Sequence, residues 1–156
     1  MRHKLLFTCA FVAALLSSGA GARTSGNGEY GDAAAREALV KVGIHYRYGG
    51  SSPETGFDCS GLVAHVFQAA WGISVPRSTA EQRSAGRAVK REDLAPGDLV
   101  FYNTRNRPFS HVGIYLGDGL FVHAPRRGQR VRLENMDNSY WRARFNGARR
   151  LAPPAL

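Results

Sequence analysis

Apolar positions in this chain fall into one solid run, two stretches of helical spacing and a late series of short, strand-length clusters. The solid run covers residues 5–16, behind Met1-Arg2-His3-Lys4 and ahead of Ser17-Ser18-Gly19-Ala20-Gly21-Ala22. A basic start, a short apolar core and a small-x-small site form the pattern of a secretory signal peptide, residues 1–22. The run is too short to span a bilayer. Cys9 lies inside it with no small residues just before it, so it is not read as a lipid-anchored cysteine. Residues 23–31 are polar and glycine-rich, and a flexible lead-in is expected there, ahead of one domain over 32–156.

Helical spacing begins with Asp32 as a cap. Ala34, Ala35, Ala38, Leu39 and Val42 then share one face and Gly43 is the stop. Residues 44–50 read as extended and 51–56 as turns. A second helix is expected over 59–71, with Leu62, Val63, Val66, Phe67 and Ala70 as its apolar stripe and Gly72 as its end. A short helical turn is expected near residues 80–84. Strand signals follow at 99–102, 111–116, 120–124 and 130–133, with a last one near 148–151. Helices first and strands afterwards predict an α+β domain with an antiparallel sheet.

Charge narrows the partners. The full chain carries +9, and without residues 1–22 it has nineteen basic against twelve acidic side chains, or +7. Eighteen of the 21 basic residues are arginines, eight of them between Arg126 and Arg150. Such a field favours an anionic envelope polymer or a carboxylate-bearing substrate. No nucleic-acid-binding motif is visible, and an exported chain rarely meets nucleic acid. Cysteine count adds a second constraint. Cys59 is the one cysteine outside the leader, so it has no internal disulfide partner, and in an oxidising compartment a lone thiol is either buried or in use.

Cys59 sits where a thiol can be used. It opens the second helix, where unpaired N–H groups and the helix dipole favour thiolate over thiol. The strands at 111–116 and 120–124 are joined through Gly117-Asp118-Gly119. If Tyr115 pairs with Gly119 across a three-residue loop, Gly113 faces Phe121 and His111 faces His123, both imidazoles on one face and ~5 Å apart at Cβ. A two-residue loop would throw His123 to the opposite face. A thiolate, a base and a group that orients the base make up the constellation of nucleophilic cysteine catalysis. Zinc is the competing chemistry, since one Cys and two His are three ligands, but no Cys-x-x-Cys or His-Glu-x-x-His spacing supports a metal. No glycine-rich phosphate loop calls for a cofactor. His45 and His65 are read as incidental.

These residues belong to a longer series of motifs: Tyr46-Arg47-Tyr48-Gly49-Gly50, Phe57-Asp58-Cys59-Ser60-Gly61-Leu62-Val63, Pro76-Arg77-Ser78-Thr79-Ala80-Glu81-Gln82, Pro96-Gly97-Asp98-Leu99-Val100-Phe101, Ser110-His111-Val112-Gly113-Ile114-Tyr115 and Val122-His123-Ala124. Together, from about residue 32 to 151, they resemble the NlpC/p60 family of bacterial cell-wall cysteine peptidases, and most closely its single-domain periplasmic endopeptidases. The resemblance implies a papain-like fold and hydrolysis of peptide bonds in peptidoglycan stems, at the D-glutamyl–diamino acid or the D-alanyl–diamino acid bond. It implies Cys59 as nucleophile, His111 as general base and His123 as the residue orienting that base. Tyr46 matches an oxyanion-holding tyrosine, Asp58 and Ser60 match positions of the substrate subsite, and Arg77 matches a groove residue. His45 and Tyr48 depart from the pattern, where relatives often have proline and an aliphatic residue. The expected protein is an exported monomer, of the periplasm or cell envelope or secreted. The alternatives are an amidase-type cysteine hydrolase that frees the stem from the sugar, and a non-catalytic wall-binding module.

Overall fold

The computed structural model describes residues 26–155, so the expected signal peptide, residues 1–22, lies outside the described residues. Its helices are α1 (Gly26–Leu39), α2 (Cys59–Trp71), α3 (Thr79–Gln82) and α4 (Ser139–Arg142). Its strands are β1 (Ser51–Ser52), β2 (Gly56–Phe57), β3 (Arg87–Val89), β4 (Leu99–Tyr102), β5 (His111–Gly117), β6 (Leu120–His123), β7 (Arg132–Asn135) and β8 (Phe145–Arg150). Strands β1 and β2 form a small hairpin, and the other six form one antiparallel sheet in the order β3-β8-β4-β5-β6-β7. The architecture is α+β, as the order of the patterns predicts.

Alternation along the strands sends side chains to two apolar layers. Leu99, Phe101, Val112, Ile114, Val122 and Ala124 pack with Ala34 and Ala38 of α1 and with Leu62, Val63, Val66 and Phe67 of α2. Val100, Tyr102, Phe121 and Ala148 turn to the other face, where Met136 and Trp141 cover them. Strand β4 is buried along its whole length because both of its faces are covered. A two-point ion pair ties β8 beside it: Arg150 donates from Nε to Asp98 Oδ1 (2.6 Å) and from Nη2 to Oδ2 (2.7 Å), with Asp98 almost wholly buried.

Three expectations change. Helix α1 starts at Gly26 rather than Asp32, so the expected flexible lead-in is helical from that point. It also stops at Leu39; the chain turns before Val42, and Leu39 and Val42 are exposed instead of facing the core. The strand expected at 130–133 lies at 132–135, because residues 129–131 pair with the segment 43–46 instead: Tyr46 donates to Gln129 O (2.8 Å), Gly43 to Val131 O (2.8 Å) and Val131 to Ile44 O (2.7 Å).

The β5–β6 register also differs, with consequence for the histidines. Gly117 pairs with Leu120 across a two-residue turn, Asp118-Gly119, and a bulge at Leu116 then brings Tyr115 opposite Phe121 and Ile114 opposite Val122. The two-residue turn alone would reverse the faces. The extra bulge residue reverses them again, so His111 and His123 remain on one face, as diagonal rather than direct neighbours. Gly113 is required here by space, not by dihedral angle. A Cβ on it would stand 2.6 Å from Phe121 Cδ2 and 2.9 Å from Val122 O. Gly113→Ala is expected to destabilise the fold by about 1–3 kcal/mol. Urea unfolding checks this, and an unchanged midpoint would mean the Phe121 ring yields freely.

Candidate active site

Cys59 is placed by the way α2 begins. Asp58 is the N-cap in extended geometry, and its Oδ1 accepts from Gly61 N–H (2.7 Å). The same carboxylate accepts from Gly49 N–H (2.9 Å) and from Arg77 Nη2 (2.9 Å) through Oδ2, while Asp58 N–H donates to Gly50 O (3.0 Å). Arg77 also donates to Ser60 Oγ (2.9 Å) and Gly50 O (3.2 Å). Gly61 lies so close to the Gly50 carbonyl that any Cβ would collide with it. Helix α3, held by a Ser78–Glu81 capping box, brings Thr79 Oγ1 to 3.7 Å from Cys59 Sγ. Buried Gln82 of α3 donates to Ser60 O (3.0 Å) and Pro76 O (2.7 Å), tying the two helix starts together.

The half-buried thiol is not the free thiolate that its helix position predicts. Burial pushes the Cys59 pKa up, and the Asp58 charge adds to that; the Thr79 hydroxyl and the N–H groups of Val112 and Ser60 pull the other way without prevailing. Among the described residues its one side-chain hydrogen-bond partner is Thr79, not His111. Tyr46 is likewise raised, by burial and then by Cys59 and Asp58, while Arg105 opposes the rise.

On the sheet, His111 Nε2 and His123 Nδ1 stand 2.7 Å apart. Trp141 of α4 encloses them: its ring stacks near His111 (centroids 5.9 Å) and meets His123 edge-on (5.0 Å), and Phe121 closes another side of His123 (5.1 Å). Burial, reinforced by Arg105, lowers His111 to about 4. His123, fully buried, is held well below its ordinary value by burial, then by His111 and Arg132. Among the described residues its Nε2 has no partner. Both rings are therefore neutral at pH 7.

Cys59, Tyr46, Asp58, Ser60 and Arg77 line one groove of about 760 Å³, together with Thr79 and Arg105. His111 opens onto an adjoining cavity of about 440 Å³ that Arg105 also borders. Among the described residues no cluster of three His, Cys, Asp or Glu side chains is placed to hold a metal ion, and no helix is long and apolar enough to cross a membrane. Thr79, Gln82, Arg105 and Trp141 are the site residues that sequence reasoning passed over. Thr79 and Gln82 stood inside a quoted motif, Trp141 follows an Asn138 cap too short-lived for periodicity, and nothing marked Arg105.

A cysteine opening a capped helix that packs on an antiparallel sheet bearing the histidines defines the papain-like class of fold. Within that class the chain belongs to the NlpC/P60 family, which its residues 43–150 match. Murein DD-endopeptidase MepH of Escherichia coli (strain K12) is 40% identical over 124 residues, covering 78% of this chain and 46% of that protein. Gamma-DL-glutamyl hydrolase of Bacillus subtilis (strain 168) is 43% identical over 116 residues, covering 74% of this chain and 28% of that protein. The crystal structure of an NlpC/P60 family protein from Bacillus cereus ATCC 10987 superimposes with a TM-score of 0.73 at 32% identity, over 79% of this chain and 40% of that one. The chain thus spans about half, or less, of the length of these relatives.

The buried pair has a consequence for stability. In the unfolded chain both histidines protonate near pH 6.5, whereas in the native state His111 stays neutral to about 4. Between those values the unfolded state binds more protons, so stability is complete above pH 6.5 and is lost as pH falls toward 4. For His111 the loss is up to about 1.4 kcal/mol per pH unit, and His123 adds to it in the same direction. Urea unfolding at pH 7 and pH 5 should show this, with a smaller difference in His123→Asn. An identical difference in that variant would place its source elsewhere.

Proposed function

We propose that the chain is an exported peptidoglycan hydrolase, a monomeric cysteine endopeptidase that cuts stem peptides or their cross-links through Cys59, His111 and His123. One observation carries this reading: a thiol fixed at a capped helix start lines one groove, a buried imidazole bonded to a second one borders the adjoining cavity, and Arg105 lines both. The relatives lend support, since one is by name a DD-endopeptidase and another a gamma-DL-glutamyl hydrolase. The leader pattern of residues 1–22 supports export to the cell envelope.

The protonation states set the mechanism. With neutral imidazoles beside a raised thiol, His111 takes the proton from Sγ during attack rather than resting as half of an ion pair. Its Nε2 is engaged by His123, so Nδ1 is the nitrogen left for the thiol. That tautomer requires His111 Nε2–H to donate to His123 Nδ1, and His123 then carries its own proton on Nε2. Sulfur adds to the carbonyl carbon, the C–N bond breaks, and the imidazolium returns its proton to the leaving amine. Water next gives a proton to His111, its oxygen adds to the thioester, and the C–S bond breaks as the imidazolium returns that proton to sulfur. First-turn N–H groups of α2 and the Tyr46 hydroxyl are the donors for the oxyanion. An imidazolium held in this basic, buried setting is a strong acid, suited to protonating an amine.

Digestion of cross-linked peptidoglycan, with products read by mass spectrometry, tests the proposal. Wild type should convert cross-linked dimers to monomers or shorten stems; Cys59→Ala should do neither, and His111→Ala should lose about 10²–10⁴-fold. Free stems with bare glycan would make the protein an amidase. Equal results for wild type and Cys59→Ala would leave a wall-binding module. The acidic limb of kcat/KM is expected near pH 4 rather than at the ordinary histidine value of 6.5, because the base works in its neutral form.

A further inference from the structure

Acyl transfer to a thiol divides a substrate in two. The acyl half stays on Cys59 Sγ, and the amine half departs from beside the imidazole that protonates it. Two separate spaces match these halves: the groove containing Cys59, and the cavity onto which His111 opens. Arg105, from the loop between β4 and β5, stands at the border of both.

The second cavity is basic in a way the reaction alone does not explain. Arg105, Arg126 and Arg132 line it, with Gln129 and Glu134 among the remaining side chains. Arg132 is paired with Glu134 (2.6 Å). Arg105 and Arg126 form no ion pair among the described residues, and both are exposed. The unneutralised Arg105 guanidinium opposes the imidazolium that must form on His111 during turnover, and Arg126 adds an unpaired positive charge to the same cavity. An anion placed between them and the ring would remove that opposition, and the leaving fragment is positioned to bring one. A free carboxylate on the carbon that bears the released amine would enter with it.

Building on the peptidase reading, we infer that the cavity beside His111 is the leaving-group subsite and that Arg105 and Arg126 select a fragment whose released amine lies next to a free carboxylate. The substrate class is therefore an amide of an amino acid with its own carboxylate unblocked, such as a cross-link made to the amine of a diamino dicarboxylic acid. Amidation of that carboxylate leaves the scissile bond unchanged and removes the recognised charge.

Two cross-linked stem-peptide dimers, identical except for a free or amidated carboxylate beside the cleaved amine, test this with the purified protein. Wild type should favour the free acid by roughly tenfold or more in kcat/KM, as for a hydrogen bond to a charged group. Arg126→Ala and Arg105→Ala should bring the two substrates to within about threefold of each other. Equal rates in wild type, or a preference that both variants keep, would overturn the inference while leaving the peptidase intact. Binding of the two diamino acid fragments, free acid and amide, to Cys59→Ala protein gives a readout independent of turnover. If neither dimer is cut, yet the free acid still binds more tightly and does so through Arg126, the subsite stands and the peptidase reading fails. Equal binding of both fragments would overturn it.

Discussion

The carboxylate of Asp58 is the interaction on which the site depends. One side chain caps α2, receives Gly49 N–H from the turn before the β1–β2 hairpin and holds the Arg77 guanidinium from the segment after α2. Three pieces of chain far apart in sequence thereby meet at the residue preceding Cys59. Each bond is charge-assisted, and the group is only partly exposed, so screening by water is limited. The close passage of Gly61 over the Gly50 carbonyl is possible only without a side chain. The position of Cys59 is thus a property of the network. Asp58, Ser60 and Arg77 border the groove that holds Cys59, but their polar atoms are largely spent on one another, which makes them a rigid wall before they are a binding surface.

The histidine pair obeys the opposite logic. Its members are buried among Trp141 and Phe121, and among the described residues no carboxylate is bonded to either ring, so His123 engages His111 without lending it a negative charge. A carboxylate in the place of His123 would raise the His111 pKa and favour a standing ion pair with Cys59. A neutral partner adds no such pull and the basic surroundings push the same way, so under the proposed mechanism the proton stays on sulfur until attack.

Most of this was legible in the sequence where local pattern and site coincide. Helix α2 lies where its apolar stripe, its Cys59 start and its Gly72 end placed it, and β4 and β5 begin at the expected residues. The shared face of His111 and His123 was also read correctly, but through the wrong turn: the two-residue loop and the Leu116 bulge each reverse the alternation, and their effects cancel. No residue pattern announces a bulge of this kind. Strand β3 and helix α4 were missed because three or four residues carry too little periodicity, and Trp141 was missed with them. The thiol was read as activated from its place on a helix; burial and Asp58, set by tertiary packing, override that local field.

Net charge was the least informative of the sequence signals, because the fold divides the arginines by task. In the rich stretch near the C-terminus, Arg150 is bound to buried Asp98, Arg132 to Glu134, Arg130 donates to Gly43 O, and Arg144 lies over the Tyr140 ring. These hold strands and turns together and would do so in a protein of any overall charge. Arg105 comes from a different part of the chain, yet it stands closer to the chemistry than most of that stretch, facing Tyr46 on one side and His111 on the other. A field summed over the surface decays within about 10 Å at 0.1 M salt. A substrate of the proposed kind would therefore meet a few local guanidinium groups, and under the leaving-group inference those unpaired beside the histidine would decide which half of it must carry the negative charge.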